Sequence, residues 1–490
     1  MKIYTKVILL FVLVGMLTSC FEDRDDNGIF ASEINDFVWK GMNAVYLYKD
    51  NIPDLANDRF SSDQEYSDYL NSFPNPESIF ESLIYNRTTV DKYSWIVDDY
   101  IALEQLFDGV SKSNGMEFGL RFVPGSSTDV YGYVRYVLPN TSAESQGIQR
   151  GDVFYGIDGT PLTESNFSTL LANDTYSIDL ATYDNNGTPQ TDDDSIIPGS
   201  ESISLTKAPY TKNPLFHSEI IDVNGENVGY LMYNGFTADF DSQLNAAFGD
   251  FLGNNVQHLV LDLRYNPGGS VNSSILLSSM ITGQFTGEVY STEQWNSELQ
   301  EAFFNQNPES LINRFTNNDD GSPLNSLNLN TVYILTTGSS ASASELVINC
   351  LNPYIDVIQI GTTTTGKYQA SVTLYDSPNF GRDNANPNHT YAMQPLVLKS
   401  LNSVGFTDYD NGLVPDITLE EDISNLGVIG DQNEPLLQAA LDDISGVGRI
   451  HMVPIQPEIL VGDSNDFVPF AKDMYIEESF PDNLRNDLQN

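Results

Sequence analysis

An alternation that begins near residue 210 narrows the possible folds more than any other feature of the chain. "NVGYLMYNGF" (Asn227–Phe236) is an apolar run, "FDSQLNAAFGDFLGN" (Phe240–Asn254) is amphipathic at helical spacing, and "VQHLVLDLRYNPGG" (Val256–Gly269) is a second apolar run entering a glycine turn. A helical segment "SVNSSILLSSMITG" (Ser270–Gly283) follows, then "TVYILTT" (Thr331–Thr337), a helix start "SELVINCLN" (Ser344–Asn352), "DVIQIG" (Asp356–Gly361) and "TTTTGKYQAS" (Thr362–Ser371). Strands alternating with helices predict βαβ units and therefore a mostly parallel sheet with flanking helices, an α/β core. Sites in such sheets collect at the carboxyl ends of the strands, where helix N-termini present their N–H groups. Three loops leave strands at that edge: Asn266–Gly269, Gly338–Glu345 and Thr362–Lys367.

The second of these loops reads "GSSASASELV" (Gly338–Val347), with four serines in seven positions (Ser339–Glu345). A serine nucleophile needs a base, and the chain holds only four histidines, His217, His258, His389 and His451, which are read as structural or surface residues. Lysine can serve as the base when it is neutral, which requires burial away from acids to bring its pKa far below the ordinary ~10.4. Lys367 lies between the uncharged turn "GTTTTG" and the alternating run "YQASVTLY", a setting that permits desolvation.

"SASASE" (Ser340–Glu345), followed by a Gly-Lys whose lysine is 25 residues beyond the central serine, resembles the carboxyl-terminal processing (tail-specific) serine proteases, as does "LDLRYNPGG" (Leu261–Gly269). The resemblance covers roughly residues 110 to 445. It implies a ClpP/crotonase-like protease core in which Ser342 is the nucleophile and Lys367 the base. Gly268 and Gly269, with the N–H of Ala343, would form the oxyanion hole. Many members carry a glutamine four residues after the lysine; here that position is Ser371, and Gln369 lies two residues before it, so either of these is assigned to orient Lys367. Cys350, on the apolar side of its helix, is read as an inert core thiol.

Upstream, "MEFGLRFV" (Met116–Val123) and "YGYVRYVLPNTSAESQGIQRGDVFYGIDGTPL" (Tyr131–Leu162) resemble a protease-associated PDZ domain. In that family a loop presents backbone N–H groups to a peptide's terminal carboxylate, while the peptide adds a strand to the sheet. The matching residues are Gly119, Leu120, Arg121 and Phe122. Residues 183–200 are read as an acidic hairpin excursion. Between about 30 and 110 the pattern is helical; "ASEINDFVWKGMNAVYLY" (Ala31–Tyr48) begins with Ser32 as its N-cap. The tail beyond about 450 is acidic, punctuated by proline, and carries no recognisable motif.

At the N-terminus, Lys2 and Lys6 precede the apolar run Val7–Leu17, which ends in "LTSC" with Cys20. Such a run is too short for a bilayer span of ~20 residues but suits a signal sequence. The small residues before Cys20 resemble a lipobox, implying a diacylated cysteine and a membrane anchor; a plain signal peptide or a short anchor is the alternative. With 22 basic against 68 acidic side chains the formal net charge is -46, which disfavours nucleic-acid partners.

These readings divide the chain into a lipoprotein signal (1–19), an N-terminal helical region (20–110), a PDZ-like domain (111–208), a catalytic domain (209–448) and an acidic tail (449–490). The expected protein is a lipid-anchored serine endopeptidase of the cell envelope, acting on polypeptides with free C-termini and needing neither metal nor cofactor. The alternative is an inactive peptide-binding lipoprotein that keeps the fold.

Overall fold

The computed structural model describes residues 32–188, 190–447, 460–468 and 470–476. Its N-terminal part is helical. Helix α1 (Glu33–Val45) starts where Ser32 Oγ accepts the N–H of Asn35, as the sequence predicts, and α2 (Asp63–Asn71) and α3 (Pro76–Ser82) follow. Phe37, Val38, Met42 and Phe80 are buried in one continuous core with Leu231, Leu259 and Leu261 of the central sheet. These helices therefore cover the α/β core. Among the described residues no helix is long and apolar enough to cross a membrane.

An antiparallel sheet follows, built from β1 (Met116–Phe122), β2 (Val130–Val137), β3 (Val153–Ile157), helix α4 (Phe167–Ala172), β4 (Thr175–Asp184) and β5 (Ser195–Thr206). The strands pair in chain order, and the excursion at 183–200 is the tip of the β4–β5 hairpin, with Tyr183 opposite Ile196. This module has its own core of Met116, Phe118, Leu120, Val134 and Phe154. Arg150 helps fasten it to the rest of the protein, donating to Tyr265 Oη at 2.8 Å and Glu421 Oε1 at 2.9 Å.

The central sheet contains β6 (Leu215–Val223), β7 (Glu226–Tyr233), β8 (His258–Asp262), β12 (Thr331–Thr336), β13 (Asp356–Gly361) and β16 (Ile417–Thr418) in that order. Only the β6–β7 pair is antiparallel. Leu259, Val260 and Leu261 are fully buried, because helices cover both faces of a parallel sheet and its strands read as continuous apolar runs. Helices α5 (Asp241–Gly253), α6 (Val271–Thr282), α7 (Ala343–Leu351) and α8 (Pro435–Ile444) provide that cover. Strands β8, β12 and β13 are parallel neighbours, so the three loops that follow them emerge side by side.

A second sheet stands at this edge. It contains β9 (Gly269–Ser270), β18 (Met474–Tyr475), β14 (Gln369–Ser371), β15 (Leu396–Asn402), β10 (Val289–Trp295) and β11 (Ile312–Arg314) in that order. Another part of the C-terminal segment, β17 (Leu460–Asp463), pairs with β1.

Candidate active site

Each serine hydroxyl of the 338–345 loop has a different fate. Ser339 Oγ donates to Asp463 at 2.7 Å, Ser340 Oγ to the carbonyl of Leu263 at 2.8 Å, and Ser344 Oγ to the carbonyl of Asn266 at 3.0 Å. Ser342 Oγ is buried and has no hydrogen-bond partner among the described residues. Ser342 is also the N-cap of α7 and holds φ 64° and ψ -117°, a strained conformation for a residue with a side chain. Strand–turn–helix strain of this kind pushes a nucleophilic serine out of its turn.

The surroundings hold that turn in place. Asn266 accepts the N–H of Ala341 at 3.1 Å on its carbonyl and donates its side-chain amide to the carbonyl of Tyr233 at 2.8 Å. Gly268 passes so close that a Cβ there would lie 2.5 Å from Ser342 Cβ and 2.7 Å from its Oγ. Only glycine fits, and its φ of +116° is one that side chains rarely adopt.

Glu345, on the first turn of α7, joins the serine loop to the lysine loop. Its Oε2 accepts the backbone N–H groups of Ser342 and Lys367, both at 2.8 Å. Its Oε1 accepts from Thr364 Oγ1 at 2.5 Å and from the N–H of Gly366 at 2.7 Å. Burial pushes this carboxyl up to about 7, against the opposing pull of these four donors.

Lys367 is fully buried, with its ammonium 4.7 Å from the centre of the Tyr93 ring. Burial pushes its pKa below the ordinary lysine value, while Asp473 pulls the other way. Its Nζ donates to Asp473 Oδ1 and to the carbonyl of Lys472, both at 2.8 Å. Asp473 is itself pushed up by burial, to about 6, against the attraction of Lys367.

The residues expected to orient the lysine are engaged elsewhere. Gln369 donates to Tyr48 Oη at 3.1 Å, and Ser371 Oγ donates to the carbonyl of Met474 at 3.1 Å. The partners of Nζ come instead from the acidic tail, in which the sequence shows no motif. The oxyanion-hole expectation also changes in one respect. Gly268 donates its N–H to Asn266 Oδ1 at 2.9 Å, so that donor is occupied; Gly269, with φ +133°, follows it, and Ala343 is the first residue of α7. Gly119, Leu120, Arg121 and Phe122, expected as a carboxylate-binding loop, run along β1. Arg121 lies over the Tyr133 ring and pairs with Glu420 at 3.4 Å. Cys20 lies outside the described residues.

His389 binds Asp376 at 2.9 Å. Cys350 is buried, free and pushed up by burial. Sequence reasoning overlooked Glu345, although a glutamate three residues after an N-cap serine is the capping-box signature. It also overlooked Asp473, for which the sequence offered no signal.

Residues 227–381 match the model of peptidase family S41, and residues 33–95 match that of the peptidase S41 N-terminal domain. The first span holds the glycine turn, the serine loop and Lys367; the second holds Tyr93. A carboxyl-terminal-processing protease of Picosynechococcus sp. (strain ATCC 27264 / PCC 7002 / PR-6) is 23% identical over 312 residues, which are 62% of this chain and 64% of that relative's length. A solved structure designated an S41 protease, from Bacteroides fragilis NCTC 9343, superposes with a TM-score of 0.63 at 28% identity, covering 84% of this chain and 97% of that one. By these matches the chain is similar to peptidase family S41 over the matched residues, and its mixed α/β fold is similar to that of S41 proteases.

Proposed function

We propose that the protein is a serine endopeptidase in which Ser342 is the nucleophile and Lys367 its general base. One observation carries this reading. Ser342 has the only unpartnered hydroxyl in the serine loop, at a strained helix start that shares one carboxylate oxygen with the backbone of a buried lysine. In the reaction, neutral Lys367 takes the proton of Ser342 Oγ as the oxygen attacks the peptide carbonyl carbon. The carbonyl oxygen becomes an oxyanion facing the N–H groups of Ala343 and Gly269, which strengthens those hydrogen bonds as charge develops. When the C–N bond breaks, the lysine passes its proton to the departing amine. Water, deprotonated by the same lysine, then hydrolyses the acyl-enzyme.

The antiparallel module with β1 at its edge is assigned as a PDZ-like domain that takes a substrate's C-terminal segment as an added strand. Cys20 is assigned as a diacylated N-terminus that anchors the protein in the cell envelope, two acyl chains being needed for stable anchoring.

One observation favours the alternative of a non-catalytic peptide binder: Lys367 Nζ is bonded to Asp473 and Lys472, so Ser342 lacks its base in this conformation. Peptide cleavage by wild type and by Ser342→Ala decides between the two. Loss of turnover in the variant supports the protease; no turnover by wild type in any conformation supports the binder.

A further inference from the structure

The described C-terminal segment does not lie on the surface. It runs through both places that a substrate would need. At its start β17 pairs antiparallel with β1, with Leu460 opposite Arg121, Gly462 opposite Leu120 and Asp463 opposite Gly119, so it occupies the strand edge assigned above to peptides. Phe467 then packs on Phe118 of β1 and on Phe167 of α4. At its end β18 lies between β9 and β14, with Met474 opposite Gly269 and Tyr475 opposite both Ser270 and Ser371. Gly269 directly follows the glycine that touches Ser342, so β18 fills the strand position beside the serine.

Side chains fix the segment at both ends. Asp463 is fully buried and accepts from Arg135 of β2 at 3.0 Å and from Ser339 of the serine loop at 2.7 Å, joining the antiparallel module to the site. Met474 is fully buried, Phe470 packs edge-on against Trp95, and Tyr475 lies 4.3 Å from the ring of Phe107. Between these anchors Asp473 and the Lys472 carbonyl take the Lys367 ammonium. A carboxylate at that point favours the charged lysine, and a charged lysine cannot accept the proton of Ser342.

We propose that residues 460–468 and 470–476 form an intramolecular inhibitor, a pseudosubstrate that fills the peptide path through the antiparallel module and the catalytic cleft and must leave before a polypeptide substrate can bind. The inference rests on reading Ser342 and Lys367 as the proteolytic pair. It also describes the bound substrate: an extended chain parallel to β9 and β14, with an apolar side chain where Met474 sits and no carboxylate where Asp473 sits.

The test uses the full-length chain and two readouts. The first is independent of catalysis: amine acetylation of Lys367 by an N-hydroxysuccinimide ester, followed by mass spectrometry. Asp473→Ala, or the shape-conserving Asp473→Asn if the alanine variant does not fold, should be labelled at least tenfold faster than wild type. The second is cleavage of a short reporter peptide, which should rise several-fold in the same variant. A synthetic peptide spanning residues 460–476 should inhibit that variant competitively, at least tenfold better than the same peptide carrying Asp473→Ala. Equal labelling of wild type and variant, or equal inhibition by the two peptides, would overturn the inhibitor. Faster labelling with no cleavage in either form would keep the segment as the occupant of the site and count against the proteolytic reading alone.

Discussion

Ser342 and Lys367, 25 positions apart in sequence, donate their backbone N–H groups to the same oxygen, Oε2 of Glu345, each at 2.8 Å. One buried carboxylate thus sets the relative position of the proposed nucleophile and base. An amide in its place keeps one acceptor oxygen but turns N–H donors toward backbone N–H groups. Each buried donor left unsatisfied costs about 1–3 kcal/mol. Glu345→Gln should lower the unfolding free energy by about 2–5 kcal/mol, read from the urea midpoint, and should reduce kcat more than it raises KM. An unchanged midpoint would show that the shared oxygen contributes little to this geometry.

The pH dependence of tail docking follows from Asp473. Its folded value of about 6 lies above its ordinary 3.8, so the docked segment binds the proton more tightly than the released one. The stability this confers is complete below 3.8 and is lost as pH rises through about 6. The groups acting on Asp473 are Lys367, which opposes the rise, and Asp91, which adds to it. Glu345 and the Tyr93 ring complete the surroundings of Lys367. Release of Asp473 also removes a charge that favours protonated Lys367, which acts in the same direction. Docking should therefore weaken by up to about a hundredfold between acid and neutral pH, at tenfold per unit of linked shift. Hydrogen-exchange protection of Met474 and Tyr475, taken relative to the intrinsic rate at each pH, should fall across that window in wild type, and the step should flatten in Asp473→Asn.

Arg264, the arginine of "LDLRYNPGG", has a structural role beneath the site. It is fully buried and donates to Asp262, Glu421 and Glu434, the last at 2.6 Å. Glu421 is pushed up by burial, yet Arg150 and Arg264 bring it down to about 2. Arg264→Met leaves these acids without their central cation, and breaking a buried network from one side costs about 3–5 kcal/mol. Thermal or urea unfolding should show a loss of that size. A variant of wild-type stability would mean that Arg150 alone holds the cluster.

The parts of the fold legible in the sequence were those whose physics leaves a periodic trace. "HLVLD" and "TVYILT" are buried on both faces and read as uninterrupted apolar runs, so the parallel sheet and the loops at its edge could be placed from sequence. Ser342 could be singled out by resemblance, but its positive φ and its unpartnered hydroxyl are tertiary facts. Gly119–Phe122 was expected as a loop only through the resemblance to PDZ domains, while its alternating apolar residues are those of a strand, β1. The tail was illegible for another reason. Its strands form through backbone pairing with residues more than 100 positions away, and backbone pairing leaves no mark on side-chain composition.

The anchor proposed at Cys20 has a direct test. In wild type the mature chain should begin at a diacylated Cys20, shown by the mass of its N-terminal peptide, and should partition into the detergent phase. Cys20→Ala should lose both properties. Recovery of the alanine variant in the membrane fraction as efficiently as wild type would refute lipidation.

Lys367→Ala and Ser342→Ala should each abolish nearly all turnover, and the double variant should lose little more, because residues that act as a unit do not contribute additively. Lys367→Arg should be equally inactive, since a guanidinium stays charged at any usable pH. Turnover in wild type should rise with pH, because the lysine works only when deprotonated and its burial lowers its pKa. Ser340→Ala and Ser344→Ala remove hydrogen bonds to the carbonyls of Leu263 and Asn266, so they should lower stability by about 1 kcal/mol each while leaving measurable activity. His389→Ala should leave turnover intact, because its ring is bonded to Asp376 and is assigned no proton-transfer role. A fully active Lys367→Ala enzyme, or one whose activity is lost with His389 instead, would remove Lys367 from the role of base.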